Sequence, residues 1–196
     1  TFLREVNLGL KPFLGEKVAV VGGGNVAIDA ARTAVRLGVG QVKILYRRSQ
    51  AEMPANEEEV QQANEEGIQI MFLVTPTRIR RRNGRLTVTC IRMELGEPDD
   101  RGRRKPVPVE GSEFDEDLDA LIMAIGQAPQ NPDGLGIRLG KGSTIQVDPV
   151  TLTTNRVGVF AGGDAVTGPA TVVEALAAGR RAASRINDYL QHKYPL

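Results

Sequence analysis

Residues 17–32 read K-V-A-V-V-G-G-G-N-V-A-I-D-A-A-R. Four consecutive apolar or small residues, Val18 to Val21, run directly into three glycines, and a helical pattern begins at once. Gly22, Gly24 and Ala27 occupy the G-x-G-x-x-G/A spacing of a dinucleotide-binding strand-to-helix turn. Each position has a physical reason. Gly22 permits the tight turn, Gly24 lets backbone N–H groups approach a pyrophosphate with no Cβ in the way, and Ala27 lets the helix sit close to its strand. The first amides of such a helix lack internal partners, and the helix dipole favours negative charge there. Gly22, Gly23, Gly24, Asn25 and Val26 are therefore candidate nucleotide-binding residues. A glycine spacing alone is common in loops, but here both the flanking strand and the flanking helix are legible.

Working outward, the helix carries small residues at Ala27, Ala30, Ala31 and Ala34, with Asp29, Arg32 and Arg36 on the opposite side. Gly38 and Gly40 stop it, and a second strand at Val42–Tyr46 completes a βαβ unit. The end of that strand discriminates between cofactors. An NAD site usually places an acid there to hold the ribose 2′-hydroxyl, whereas this chain offers Tyr46-Arg47-Arg48 and no acid before Glu52. Guanidinium groups bind phosphate oxygens in pairs, so Arg47 and Arg48 favour NADP(H) over NAD(H). The plain alternative is two solvated surface arginines.

Before the glycine stretch, Thr1–Glu16 reads as a lead-in with a turn at Pro12 and Gly15. After it, Asn56 and Glu59 predict an N-cap pair for a helix ended by Gly67, and Ile68–Val74 reads as one buried parallel strand. Asn83-Gly84 predicts a hairpin, and Leu86–Leu95 a strand whose apolar phase shifts near Cys90–Ile91, as at a bulge. Gly96–Pro108, including Asp99-Asp100 and Arg101 to Lys105, reads as an exposed loop or hairpin tip. Asp119–Ile125 reads as a strand closed by Gly126, and Leu86–Ile125 as an antiparallel meander finishing the nucleotide domain. The basic cluster Arg80–Arg82 reads as surface charge. Asn131–Asn155, rich in Gly and Pro with a short strand at Thr144–Val147, reads as a connection between domains. A second strand-to-glycine signal follows at Val157–Asp164, then a helix capped by the Thr171 and Glu174 box. That helix places Val172, Ala175, Leu176, Gly179, Ala183, Ile186 and Leu190 on one face, and mid-helix Gly179 suggests a close neighbour.

Composition excludes several classes. With 25 basic and 24 acidic residues, net +1, the 196-residue chain gives no reason to invoke nucleic acid or a membrane surface. No apolar run approaches the ~20 residues of a transmembrane helix, and no signal peptide is visible. The single cysteine, Cys90, rules out an internal disulfide and a cysteine-based metal site, and a cytoplasmic setting is the default expectation. An opening Thr in place of Met suggests a fragment of a longer protein. The fold class expected is α/β, a Rossmann-like parallel sheet with helices plus the antiparallel meander.

Four segments, V-A-V-V-G-G-G-N-V-A-I-D-A-A-R, Y-R-R-S-Q-A-E-M-P-A, E-E-G-I-Q-I and V-F-A-G-G-D-A-V-T-G-P-A-T-V-V-E-A-L-A-A-G-R-R-A-A, together resemble the small (beta) subunit of NADPH-dependent glutamate synthase. They also resemble the matching parts of dihydropyrimidine dehydrogenase and of ferredoxin–NADP transhydrogenase flavoprotein subunits. The likeness spans nearly the whole chain in the right order. It implies an NADPH domain, residues 1–128, inserted into an FAD domain whose C-terminal portion is residues 129–196. By that resemblance Gly22, Gly24 and Asn25 face the NADPH pyrophosphate, Arg47 and Arg48 the 2′-phosphate, and Gly126 is a cofactor contact. Gly163 and Asp164 match the FAD-chain contact, and Thr171 and Val172 the helix start that points at the flavin pyrimidine ring. Hydride would pass from nicotinamide to flavin with no side chain as acid or base, so no catalytic residue is assigned.

The departures are equally definite. The N-terminal FAD glycine motif and the cluster-binding cysteines of the family are missing, so iron–sulfur clusters belong only outside these residues. The expected partners are the missing N-terminal FAD domain, a large subunit or a ferredoxin-type electron acceptor. The unpaired strand at Val157–Ala161 also suggests a homodimer. Alone, the chain is expected to bind NADPH weakly or moderately, bind FAD poorly and catalyse nothing. Two rival readings exist: a short-chain reductase using Tyr189 and Lys193, and a non-enzymatic NADP(H) sensor, which leaves Asp164 unexplained.

Overall fold

The structure, a computed structural model, describes residues 1–98, 102–131 and 134–193. The chain forms two compact units, Thr1–Ile125 and Gly126–Leu196. The tip expected at Asp99–Arg101 and the side chain of Lys193 lie outside the described residues.

The first unit is built on a parallel sheet. Its strands are β1 (Lys17–Val21), β2 (Gln41–Tyr46) and β3 (Gln69–Phe72), joined by helices α2 (Asn25–Arg36) and α3 (Glu57–Glu65). A short helix α1 (Phe2–Asn7) precedes them, and Phe2 and Leu3 pack against the core. It lies in the expected lead-in, ahead of Gly15, which takes φ +80° just before β1; six residues without a capping side chain leave little sequence signal.

Two segments differ from the expectation. Asp119–Ile125 does not join a meander: β8 (Ala120–Met123) lies parallel to β1, giving the order β3-β2-β1-β8. The Asp119 carboxylate anchors it by accepting from the backbone N–H groups of Glu16 at 2.8 Å and Lys17 at 2.9 Å. Nor is Ile68–Val74 one strand, because Leu73 adopts φ +55° and turns the chain out of the parallel sheet. Its N–H donates to Arg48 O at 3.1 Å, and its carbonyl accepts from Met93 N at 2.8 Å.

The second sheet contains β4 (Val74–Arg82), β5 (Arg85–Pro98), β6 (Arg104–Pro108) and β7 (Phe114–Leu118). β5 pairs antiparallel with the other three. Asn83-Gly84 forms the tight turn, with φ +51° and +79° as that two-residue loop requires. The irregularity near Cys90 is real, but its extra residue, Thr77, lies on the partner strand, where register shifts between Pro76 and Arg78. β7 escaped notice because F-D-E-D-L is acidic; Asp115 and Asp117 accept from the hydroxyls of Thr89 and Thr87 at 2.7 and 2.9 Å.

Packing explains the uninterrupted apolar run of β1. Val18 and Val20 face the helices, joining Ile28, Ala31, Ala34 and Ile44 in one buried cluster. Ala19 and Val21 face the other way, packing with Leu45, Val74, Val88, Cys90 and Leu118 beneath the antiparallel sheet. Both faces are covered, as a parallel strand requires. Ala27, Ala30, Ala31 and Ala34 bring α2 close onto the sheet.

In the second unit the strands expected at Thr144–Val147 and Val157–Ala161 do not form. Only the isolated bridges Leu139–Ile145 and Thr153–Phe160 appear among the described residues. A ladder needs a neighbouring strand, and among the described residues none pairs along either segment. A four-residue helix α4 (Asp164–Thr167) and the long helix α5 (Val172–Lys193) follow. α5 packs through a different face from that expected. Ala178 is buried, Ala175, Ala182 and Tyr189 are half-buried, and Phe160 meets Tyr189 edge to face at 5.6 Å. Val172, Leu176, Ile186 and Leu190 are exposed, and a Cβ on Gly179 would meet no neighbouring element within 4 Å among the described residues.

Candidate functional site

The glycine turn sits at the C-terminal end of the central strand β1, where the chain on one side continues to β2 and on the other side returns as β8. That switch point is where ligands bind in open α/β sheets. Gly22 takes φ +146°, and a Cβ there would stand 2.3 Å from Ala124 O. A Cβ on Gly23 would stand 2.4 Å from the ring of Tyr46. These two glycines are required by the protein's own packing. Gly24 is different: it takes an ordinary φ of −93°, and a Cβ there would meet nothing within 4 Å.

Gly24 is also the N-cap of α2, and no side chain caps it. The first-turn amides, of Asn25 and Val26, have no acceptor within the helix, and both residues are exposed. Asn25 is oriented: its Oδ1 accepts from Asn56 N at 3.0 Å, so the Nδ2 donors are not used in this bond. Ala55 N donates to Gly23 O at 3.1 Å, so the segment before α3 braces the turn. Asn56 caps α3 by accepting from Glu58 N at 3.0 Å, but the expected pair with Glu59 does not close, because the Asn56 N–H donates to Asn25 Oδ1.

The two arginines after β2 are separated by the fold. Arg47 is exposed, while Arg48 is only 6% exposed and its Nε donates to Arg104 O at 2.8 Å. Tyr46 lies between the turn and this pair, its hydroxyl donating to Glu52 O at 2.7 Å. Burial pushes the Tyr46 phenol above its ordinary value, opposed by the nearby guanidinium groups of Arg48, which also hydrogen-bonds it, and Arg103. Ser49 Oγ donates to the Glu52 carboxylate, keeping that acid engaged at the edge of the site. Gly126, with φ +106°, opens the second unit.

In the second unit, Gly162 and Gly163 lie against α5, where a Cβ would stand 3.4 Å from Ala178 O and 3.9 Å from the Ala175 Cα. Asp164 begins α4 with its side chain exposed. The capping box closes as expected, with Thr171 N and Oγ1 donating to Glu174 Oε2 at 2.9 and 2.7 Å and Glu174 N donating to Thr171 Oγ1 at 3.2 Å. The Thr171 N–H and hydroxyl hold the Glu174 carboxyl below its ordinary range. The amides of Val172 and Val173 are left without intrahelical acceptors.

Comparison with known proteins places this arrangement. The family profile described as pyridine nucleotide-disulphide oxidoreductase matches residues 3–179. The chain belongs to the pyridine nucleotide-disulphide oxidoreductases. Within them it is 55% identical, over 97% of its own length and 27% of the relative's, to the NADP(+)-dependent formate dehydrogenase subunit beta of Moorella thermoacetica. It is 40% identical to the glutamate synthase [NADPH] small chain of Escherichia coli, over 92% of this chain and 41% of that one. The chain thus spans between about a quarter and two-fifths of the length of these relatives. Lactococcus lactis thioredoxin reductase shares the fold, with a TM-score of 0.72 at 22% identity over 92% of this chain and 55% of that chain.

Three features around the turn are not legible in the sequence: Tyr46 as the wall behind Gly23, the Ala55–Asn56 brace, and the Arg48–Arg104 link. Only the aromatic residue ending a strand beside a glycine turn offered any signal. Among the described residues no group of His, Cys, Asp and Glu is arranged to hold a metal, and no helix is long and apolar enough to cross a membrane.

Proposed function

We propose that Thr1–Ile125 is the NADPH-docking domain of a flavin-dependent oxidoreductase, and that Gly126–Leu196 is the C-terminal portion of its FAD-binding domain. The observation that carries this reading is the uncapped, exposed start of α2 at the switch point, with Arg47 exposed at the end of the adjacent strand. The residues present fit the nucleotide. Gly24 leaves open space where a pyrophosphate would lie, Asn25 and Val26 supply amides, and the Asn25 side chain, held through its Oδ1, carries a further pair of donors. Arg47, and with it Arg48, supplies positive charge for the 2′-phosphate.

For FAD the fit is partial. Gly163, Asp164, Thr171 and Val172 form one edge of a site, with amides suited to negative charge at the start of α5. The exposed stripe of Val172, Leu176, Ile186 and Leu190 would be covered by the remainder of that domain. When bound, the nicotinamide supplies hydride and the flavin accepts it; this chain's residues bind and orient them. Electrons would then pass through iron–sulfur centres held outside these residues to a partner subunit or a ferredoxin-type acceptor. The test is to purify the full-length polypeptide anaerobically and add NADPH. A yellow protein bleached by NADPH supports the reading, with flavin lost in an Asp164→Ala version. A colourless protein, or one that NADPH does not bleach, refutes it.

A further inference from the structure

The basic residues near the end of β2 do not play equal parts. Arg48 is buried, its Nε is occupied by the carbonyl of Arg104, and its guanidinium also hydrogen-bonds Tyr46. Arg104 in turn reaches back along its own hairpin, donating through Nη2 to Leu95 O at 2.6 Å and through Nε to Gly96 O at 3.2 Å. The tip end of the β5–β6 hairpin, where Arg104 pairs with Pro98, is thus tied to the exit of β2, the place where an NADP 2′-phosphate is read. Arg103 immediately precedes β6, is exposed, and lies near enough to Tyr46 to act electrostatically on its hydroxyl.

We infer that Arg103 is a specificity-determining residue that joins Arg47 in binding the 2′-phosphate, and that Arg48 serves as the strut that holds the tip end of the hairpin in place. This rests on the NADPH reading of the glycine turn. Guanidinium groups bind phosphate oxygens in pairs, and these two exposed residues offer one such group each from separate backbone segments. Their distance along the chain explains why a motif beside the glycines does not contain the second one.

The probes are NADPH, NADH, 2′,5′-ADP and 5′-AMP, titrated calorimetrically into the purified chain and its variants. Arg103→Ala is expected to weaken NADPH and 2′,5′-ADP by about tenfold and leave NADH and 5′-AMP within about twofold. Arg103→Lys is expected to restore part of the loss, since it returns the charge without the fork. Arg80→Ala, the same charge change on exposed β4, is the control and is expected to leave all four ligands unchanged. Arg103→Ala binding NADPH like the parent overturns the inference while the NADPH reading stands. Equal losses in the Arg80 and Arg103 variants overturn it as well, because long-range charge then suffices. A parent chain with no preference for NADPH over NADH refutes the reading beneath it. Circular dichroism of Arg103→Ala confirms the fold, and an exposed residue outside the strands leaves it intact.

Discussion

Gly22 and Gly24 belong to one motif, yet replacing each by Ala should have opposite consequences. At Gly22 the backbone sits at φ +146°, and the new Cβ would press to 2.3 Å from Ala124 O, a backbone atom that cannot step aside. An unfavourable backbone conformation costs about 1–3 kcal/mol, and overpacking adds about 1–3 kcal/mol. The sum, about 2–6 kcal/mol, lowers Tm by about 8–24 °C at roughly 4 °C per kcal/mol. At Gly24, φ is −93° and the Cβ enters open space, so only the poorer N-cap is felt, about 0.5–1 kcal/mol. The same Cβ would keep a pyrophosphate from the amides of α2. Losing one charge-assisted contact costs about 1.5–3 kcal/mol, or one to two decades in Kd. Thermal melts followed by circular dichroism and calorimetric titration with NADPH separate the two effects. Gly24→Ala binding NADPH as tightly as the parent would refute the assignment of the helix start. Gly22→Ala melting with the parent would refute the packing argument.

Two further outcomes test the scaffold. The Asp119 carboxyl is held below its ordinary range by the N–H groups of Lys17 and Glu16, so its contribution to stability is complete above the ordinary carboxylate pKa and is lost as pH falls through the depressed value. Asp119→Asn should therefore flatten the acid limb of a Tm-against-pH curve below about pH 4, and an unchanged limb would contradict the anchoring role. Burial pushes the Cys90 thiol up to about 11, and its Sγ lies in the core between the sheets. A colorimetric disulfide reagent at pH 8 should label it only after unfolding; prompt labelling of the native chain would contradict its burial.

What the sequence revealed follows from how local each signal is. The βαβ unit was legible because apolar strand, glycines and alanine stripe are consecutive in Val18–Ala34. The caps at Asn56 and Thr171 and the Asn83-Gly84 turn were legible for the same reason. The parallel placement of β8 was not, because pairing with β1 joins residues about a hundred positions apart in sequence, and nothing in A-L-I-M fixes its direction. The separation of Arg47 from Arg48 was hidden too, since the acceptor that buries Arg48 is a carbonyl 56 residues away. In the second unit the apolar stripe of α5 has the right period but is exposed. Periodicity identifies a face meant to be covered without saying by what.

The central claim is that NADPH docks on the exposed start of α2. A two-dimensional amide spectrum of the labelled chain, recorded during an NADPH titration, tests it most directly. The account predicts the largest shifts at the amides of Gly24, Asn25 and Val26, saturating together with those of Arg47. Saturation with those amides unmoved, or shifts confined to the second unit, would contradict it.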